Sequence, residues 1–237
     1  MKRKSSLSLG RMESGKMIYL LFAVFLIVGC ASGKRQQVEP HEIARRAGEF
    51  DLVDVQAVVP DVYIDLRYRS SDNVLKRSLY PSDMPCLLKR STALKLRKAA
   101  EFVGKYGYAL KVWDGWRPPE VQALFYDKLG HTGMFMDPKL MWSRHCTGTA
   151  VDITLVSPGG KDLDMPTDHD EEGDLARYDA KGAAPDVLHR LAILQNAMSK
   201  AGFLLIDIEW WHFDDGEFVF RQPRVVSAGD LGLTLPE

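Results

Sequence analysis

The sequence predicts a single-domain α+β fold. The 237 residues suffice for one domain of ordinary size, and an apolar content of 46% provides for a normal hydrophobic core. The strand and helix patterns do not alternate along the chain as they do in a doubly wound α/β protein. A formal net charge of −1 gives no basic surface of the kind that binds nucleic acid. We therefore expect no nucleic-acid ligand, and no protein partner is predicted.

The first 29 residues resemble a bacterial secretory signal. Basic residues precede an uncharged run of thirteen residues, Met17–Gly29, which is shorter than the about 20 residues that a membrane-spanning helix needs. Small residues followed by Cys30 resemble a lipobox, in which the cysteine carries lipid. An ordinary signal peptide or an uncleaved anchor is the alternative. We predict a lipoprotein signal peptide over 1–29, a membrane anchor through lipid on Cys30, and a periplasm-facing or exported location in the cell envelope.

The polar segment 30–50 predicts a tether, within which Pro40 is a possible helix start, and the folded domain is expected over 51–237. Apolar alternation predicts strands and apolar stripes predict helices within this domain. The expected strands are 62–66, 108–113, 150–155, 203–208 and 218–220, and the expected helices are 92–106, 118–129 and 185–201. Ser91 is the expected N-cap of the first helix. The polar segment 158–184 is long enough to be a functional loop such as a lid.

Two cysteines lie beyond the signal, Cys86 and Cys146. Export would permit a disulfide between them, and their number has the right parity. Two separate thiols agree with the sequence equally well.

The segment 143–152 contains the first candidate metal ligands. His145 lies just before a predicted strand and Asp152 lies inside it. A carboxylate within an apolar strand is costly unless it is paired or bound to a cation. Gly148 permits a turn that brings His145 back toward Asp152. A buried, hydrogen-bonded aspartate without a metal is the alternative for this segment taken alone.

The second candidate motif is Glu209-Trp210-Trp211-His212. His212 would complete a set of two histidines and one carboxylate with the earlier pair, and three ligands with an open fourth position describe a catalytic zinc site. Glu209 would then be free to act as general base on a water molecule. A histidine packed in the core is the alternative for His212 by itself.

Arg117 lies at a predicted strand-to-helix junction, where a side chain can point into a cleft. A guanidinium in such a place can hold a carbonyl oxygen as negative charge develops on it. A surface arginine, or an ion pair with Asp114, is the alternative.

Together these motifs resemble the VanX-type zinc D-alanyl-D-alanine dipeptidases, which are related to zinc D,D-carboxypeptidases and to the hedgehog signalling domain. The likeness covers about residues 50 to 222 and is carried by Asp114–Pro118, Ser143–Asp152 and Glu209–His212. It implies a central, mainly antiparallel sheet flanked by helices. It also implies one Zn²⁺ per chain bound by His145, Asp152 and His212, with Glu209 as catalytic base and Arg117 as transition-state stabiliser.

The resemblance further implies substrate-binding roles for Ser143, Tyr68 and Asp170. The family usually has phenylalanine directly before this aspartate, whereas the present chain has His169. A fourth protein ligand would close a catalytic zinc site against water, so His169 is not expected to bind the metal.

The activity that the resemblance implies is hydrolysis of D-alanyl-D-alanine, a small dipeptide, to free D-alanine. A D,D- or L,D-carboxypeptidase acting on peptidoglycan stem peptides is the first alternative, because it would share the catalytic residues and differ in the loop 158–184. A metal-bearing binding module without turnover is the second alternative. Such a module would need neither Glu209 nor Arg117, and both are present.

Overall fold

The structure, a computed structural model, describes residues 40–236. The predicted signal peptide, the lipidation site Cys30 and the first part of the tether lie outside these residues. In the described part of the chain, no helix combines the length and the apolar character needed to cross a membrane. The α-helices are α1 (Pro40–Glu49), α2 (Val55–Val58), α3 (Arg90–Gly104), α4 (Pro119–Leu129), α5 (Pro185–Ala201) and α6 (Ala228–Leu231).

A five-stranded sheet forms the centre of the fold, with the strand order β2-β4-β5-β7-β6. Strand β2 runs parallel to β4, and every other pair in this sheet is antiparallel. A separate antiparallel pair consists of β1 and β3. The strands are β1 (Leu52–Asp54), β2 (Tyr63–Ile64), β3 (Leu87–Lys89), β4 (Ala109–Asp114), β5 (Ala150–Val156), β6 (Phe203–Leu205) and β7 (His212–Asp215). The predicted α+β fold with a mainly antiparallel central sheet is confirmed.

Strand β5 is the middle strand of the sheet, and all seven of its residues are buried. Val151, Ile153 and Leu155 belong to the hydrophobic core, whereas Asp152 lies on the opposite face because side chains alternate along a strand. The central strand thus carries core residues on one face and a buried carboxylate on the other.

Helix α5 begins and ends where the sequence predicts. Pro185 occupies its first turn, where the missing N–H costs nothing. Gly202 follows its last residue with φ +98°, a left-handed conformation that ends helices. The buried face of α5 includes Leu191, Leu194 and Met198, and this helix packs against α3 and β6.

The predicted strand 218–220 is wrong. Residues Gly216–Phe218 form a 3-10 turn, and the side chain of Phe220 is fully exposed. Asp215 accepts a hydrogen bond from the backbone N–H of Glu217, which turns the chain out of the sheet. The final strand along the chain is instead β7, which the sequence did not predict. Helix α3 also begins one residue before the expected N-cap Ser91, and Lys89 precedes it without a side-chain cap.

Part of the expected tether is folded. Residues Pro40–Glu49 form helix α1, in which Ile43 and Ala47 are buried. This helix contacts β1 and α6. The folded part of the chain therefore begins before residue 51.

Candidate metal centre

Three neighbouring strands place polar side chains in a row across the sheet. The register pairs Asp114 of β4 with Asp152 of β5, and Asp152 with His212 of β7. Residues directly opposite in an antiparallel pair have Cβ atoms about 4.5–5.5 Å apart. His145 joins this row from a 3-10 turn, Arg144–Thr147, immediately before β5. All three predicted metal ligands are buried.

The donor atoms of the three predicted ligands converge. Nδ1 of His212 lies 3.0 Å from Oδ1 of Asp152 and 3.1 Å from Nε2 of His145. Nε2 of His145 lies 3.3 Å from the same Asp152 oxygen. Zinc bonds of about 2.0–2.1 Å in a tetrahedral site separate neighbouring donor atoms by about 3.3–3.4 Å. The three atoms therefore have nearly the spacing of one face of a zinc tetrahedron.

The hydrogen-bond partners of the two histidines determine which nitrogen of each neutral ring can bind a metal ion. Nδ1 of His145 lies 2.7 Å from the carbonyl oxygen of Gly115, which can only accept. Nε2 of His212 lies 3.0 Å from Oδ1 of Asp214, also an acceptor. In neutral imidazoles the other nitrogens then carry lone pairs, which point at each other and at the Asp152 carboxylate. Three converging lone pairs repel unless a cation lies between them, so this arrangement fits a bound metal ion.

Two imidazoles and one carboxylate form a donor set that suits zinc. Among the described residues, His145, Asp152 and His212 form the group of side chains that can hold a metal ion. His169 lies outside this group, since its Nε2 contacts Oδ2 of Asp152 at 3.0 Å and not the converging atoms. Three protein ligands leave a fourth position for water or substrate.

Glu209 lies next to the cluster, and its pKa is shifted in the opposite direction from that of Asp152. Its Oε2 is 3.7 Å from Nδ1 of His212. Burial raises the pKa of Glu209 to about 7. Burial alone would also raise the pKa of Asp152, but His145 and the other histidines around it outweigh this effect and hold that pKa well below its usual range. Two nearby carboxylates with pKa values shifted in opposite directions are typical of a ligand and an acid–base group.

Arg117 is buried, and its guanidinium group is fixed by hydrogen bonds to neighbouring side chains. Nε donates to Oδ2 of Asp114 at 2.8 Å, and Nη1 donates to Oε1 of Gln122 at 2.9 Å. Nη2 lies 3.5 Å from both the Tyr68 hydroxyl and Oδ2 of Asp152. The ion pair with Asp114 thus exists, but the arginine is not on the surface. Its Nη2 has only long contacts and keeps donor capacity toward the cavity.

A cavity of about 230 Å³ opens beside the cluster. Predicted ligands and other charged or polar side chains form its polar wall, and methionine, phenylalanine, tryptophan and isoleucine side chains form its apolar wall. The predicted site residues in the lining are Arg117, Ser143, His145, Asp170, Glu209 and His212. Asp170 reaches the cavity from the loop 158–184 with a left-handed backbone, φ +58°.

Two of the predicted substrate-binding residues line the cavity and one lies behind it. Ser143 is in the wall and accepts a hydrogen bond from the backbone N–H of His145 at 3.3 Å. Tyr68 has no exposed surface. Its hydroxyl donates to Oδ2 of Asp170 at 2.8 Å. Tyr68 therefore orients Asp170 and does not itself face the cavity.

Sequence reasoning missed the residues that support the predicted metal ligands and Arg117. Asp214 accepts from His212 and is paired with Arg144, whose Nε lies 3.0 Å from Oδ2 of Asp214. Gln122 fixes Arg117 from helix α4. Asp214 could have been found, because it is two residues beyond His212 and shares its strand face.

Neither remaining cysteine takes part in this chemistry. Cys86 and Cys146 are buried free thiols. Burial raises the pKa of Cys146 to about 12, so this neighbour of His145 stays protonated at neutral pH and is a poor nucleophile.

Gly148 makes the turn between His145 and β5, and we expect Gly148→Ala to be strongly destabilising. Its φ of +70° is costly for alanine. An added Cβ would lie 2.5 Å from Cδ2 of Leu52 and 3.1 Å from the backbone N of Lys89. Strain and overpacking together should lower the free energy of unfolding by about 2–4 kcal/mol, measured by equilibrium denaturation.

Gly107→Ala is the matched control for this substitution. Gly107 has φ +77°, and no atom lies within 4 Å of an added Cβ. Alanine at this position therefore introduces backbone strain but no overpacking. Equal losses of stability in the two variants would contradict the role of close packing at Gly148.

Comparisons with known proteins agree with this geometry. The profile of peptidase family M15, described as D-ala-D-ala dipeptidase, matches residues 48–226. The D-alanyl-D-alanine dipeptidase of Escherichia coli K12 is 30% identical over 164 residues, covering 69% of this chain and 84% of that protein. The dipeptidase of Enterococcus faecium is 24% identical over 184 residues, covering 70% and 91%. The one from Streptomyces coelicolor is 28% identical over 195 residues, covering 70% and 91%.

Among solved structures, the LdcB LD-carboxypeptidase matches with a TM-score of 0.38 and 21% identity, covering 70% of this chain and 67% of that one. The family profile spans more than half of the chain and includes every residue of the metal cluster. The chain therefore belongs to the D-Ala-D-Ala dipeptidase family of metallopeptidases, peptidase family M15.

Proposed function

We propose that this protein is a zinc-dependent dipeptidase that hydrolyses D-alanyl-D-alanine to two molecules of D-alanine. The single observation that carries the proposal is the convergence of two imidazole nitrogens and one carboxylate oxygen, 3.0–3.3 Å apart, beside a buried glutamate. Membership of the family supports the substrate class.

A Zn²⁺ ion held by His145, Asp152 and His212 would supply a Lewis acid and lower the pKa of a bound water toward about 7. Glu209 accepts a proton from the attacking water and later returns it to the leaving amine. Arg117 donates from Nη2 to the carbonyl oxygen as that oxygen gains negative charge. The net reaction breaks one peptide bond and consumes one water molecule.

The cavity fits a small substrate with a free amino group. Its volume is about 230 Å³. Pockets that bind drug-sized ligands are larger, at about 300–1,000 Å³. Asp170 places a carboxylate in the lining, oriented by the Tyr68 hydroxyl. A carboxylate there pairs with the ammonium group of a dipeptide, which a longer stem peptide would not present at that position.

The test is release of D-alanine from D-Ala-D-Ala and from a pentapeptide stem ending in D-Ala-D-Ala, with and without a chelator. We expect turnover of the dipeptide alone, loss of activity with the chelator, and recovery on adding Zn²⁺. Preference for the pentapeptide would identify a carboxypeptidase instead. Activity that is unchanged after complete metal removal would contradict the proposal.

Asp170→Asn should weaken the enzyme selectively toward substrates with a free amino group. A hydrogen bond to a charged group contributes about 1.5–3 kcal/mol, so kcat/KM for D-Ala-D-Ala should fall about 10- to 100-fold. N-acetyl-D-Ala-D-Ala lacks the ammonium group and is the matched control. If the substitution lowers kcat/KM equally for both compounds, Asp170 does not recognise the amino group.

We further propose that the protein acts in the cell envelope, anchored through lipid on Cys30. The support is the sequence pattern of the first 30 residues alone. Cys30→Ser should then move the protein from the membrane fraction to the soluble fraction, and an unchanged distribution would exclude the lipid anchor.

A further inference from the structure

His169 is a polar side chain placed among aromatic rings and next to a metal ligand. Its ring centroid lies 5.5 Å from that of Tyr68, 5.4 Å from that of Trp113 and 5.9 Å from that of Trp211. Its Nε2 lies 3.0 Å from Oδ2 of Asp152. Because that carboxylate oxygen can only accept, the histidine donates the hydrogen bond.

The two carboxylate oxygens of Asp152 have different partners. Oδ1 faces Nε2 of His145 and Nδ1 of His212 at 3.3 and 3.0 Å. Oδ2 points away from this cluster toward His169, with Nη2 of Arg117 more distant at 3.5 Å. Of these two donors, His169 therefore makes the shorter contact with the second oxygen.

We propose that His169 is a positioning residue that makes Asp152 bind the metal through one oxygen only. With Oδ2 engaged, Asp152 occupies a single coordination position, and the fourth position stays open for water or substrate. Partners of this kind orient ligands and raise metal affinity. The inference depends on the metal centre of the proposed function.

The surroundings of His169 support this role over simple packing. Nδ1 of His169 is buried and has no hydrogen-bond partner among the described residues. A phenyl ring would fill the same aromatic enclosure without that unmet hydrogen bond, so packing alone does not favour a histidine. The bond to Asp152 is the compensating interaction.

The backbone before His169 is also fixed. Its N–H donates to Oδ1 of Asp168 at 2.9 Å, and Nη2 of Arg67 donates to the same oxygen at 2.6 Å. The loop therefore carries His169 to Asp152 on an anchored segment.

The experiment measures the Zn²⁺ affinity of the full protein by competition with a chromophoric chelator. Three variants are compared with the wild type: His169→Gln, His169→Asn and His169→Phe. Glutamine carries an amide N–H at the same number of bonds from Cβ as Nε2, whereas asparagine is one carbon too short and phenylalanine has no donor. We expect affinity within a few-fold of wild type for His169→Gln and about 10- to 100-fold weaker binding for the other two.

Thermal unfolding of the metal-free variants separates packing from positioning. A packing role would make His169→Phe the most wild-type-like variant in both stability and zinc affinity, and that result would overturn the inference. Equal affinity in all four proteins would overturn it as well. If wild-type protein binds no zinc, the proposed function fails together with the inference. If the wild type binds zinc but the variants do not show the predicted order of zinc affinities, the inference alone fails.

A spectrum of the Co²⁺-substituted protein provides a second readout. Freeing Oδ2 in His169→Phe should let Asp152 bind through both oxygens and raise the coordination number, which weakens the visible bands of Co²⁺. Identical spectra for His169→Phe and the wild type would show that His169 does not control how Asp152 binds.

Discussion

Glu209→Gln should lower kcat for D-Ala-D-Ala about a thousandfold and leave one zinc ion bound per chain. Glutamine keeps the size and shape of the side chain but cannot accept a proton at neutral pH. A positioned general base contributes about 10²–10⁴-fold to the rate of such reactions. The measurements are steady-state kinetics together with metal analysis of the purified variant.

The position of Glu209 explains why zinc should stay bound. Its Oε2 is 3.7 Å from Nδ1 of His212, whereas the three cluster atoms are 3.0–3.3 Å apart. The carboxylate therefore lies next to the three predicted ligands and not among them. Burial raises the pKa of Glu209 to about 7, and the nearby carboxylates of Asp152 and Asp170 add to this effect. A bound cation lowers that pKa and favours the proton-accepting form.

Glu172→Gln is the matched control, because this exposed glutamate belongs to the loop 158–184 but lies away from the cavity lining. It should keep wild-type activity. A Glu209→Gln protein with more than about a tenth of wild-type kcat would exclude the general-base role. Loss of zinc from this variant would instead make Glu209 part of the metal binding site.

The sequence predicts the long helices and the central strand well because their apolar patterns are strong. Helix α5 has a clear buried face, and strand β5 is buried along its whole length. Strand β7 was missed because it reads His-Phe-Asp-Asp, with a single apolar residue. It is stabilised by its register with β5 and by buried contacts such as Thr92 Oγ1 donating to Asp215 at 2.6 Å. Such contacts join distant parts of the chain and cannot be read from local patterns.

The candidate ligand residues can be recognised in the sequence because charged and polar side chains are unusual in apolar surroundings, but their mutual placement cannot be predicted. Asp152 and His212 are 60 residues apart and meet because they are directly opposite in the sheet. Register depends on the whole sheet, so a sequence indicates the residue types and not the distances. The contact of His169 with Asp152 likewise depends on the path of a long polar loop.

Arg117→Lys should lower kcat for D-Ala-D-Ala nearly as much as Arg117→Ala, by about 10²–10³-fold with little change in KM. Removal of one donor that stabilises a developing oxyanion typically has this magnitude, and an interaction made only in the transition state appears in kcat. Lysine keeps the positive charge but has no planar fork. It cannot hold Asp114 and Gln122 and still present a nitrogen to the substrate.

The packing of Arg117 makes the lysine substitution especially unfavourable. Its guanidinium carbon lies 5.2 Å from the ring centroid of Tyr68 and 5.3 Å from that of Phe125, and these flat faces suit a planar cation. Asp114 has no exposed surface, so the loss of its cation in Arg117→Ala should also destabilise the fold. Breaking a buried pair in this way costs about 3–5 kcal/mol.

A double variant separates the catalytic role of Arg117 from its structural role. In Arg117→Ala/Asp114→Asn the buried carboxylate is neutralised, so much of the stability should return while kcat stays low. Recovery of kcat together with stability would mean that Arg117 is only the ion-pair partner of Asp114. Arg177→Lys, at an exposed position, controls for a general effect of replacing arginine. In the double variant no charged Asp114 remains to be compensated. If kcat stays low although this variant is folded and binds zinc, the loss supports a contact between Nη2 of Arg117 and the reacting carbonyl.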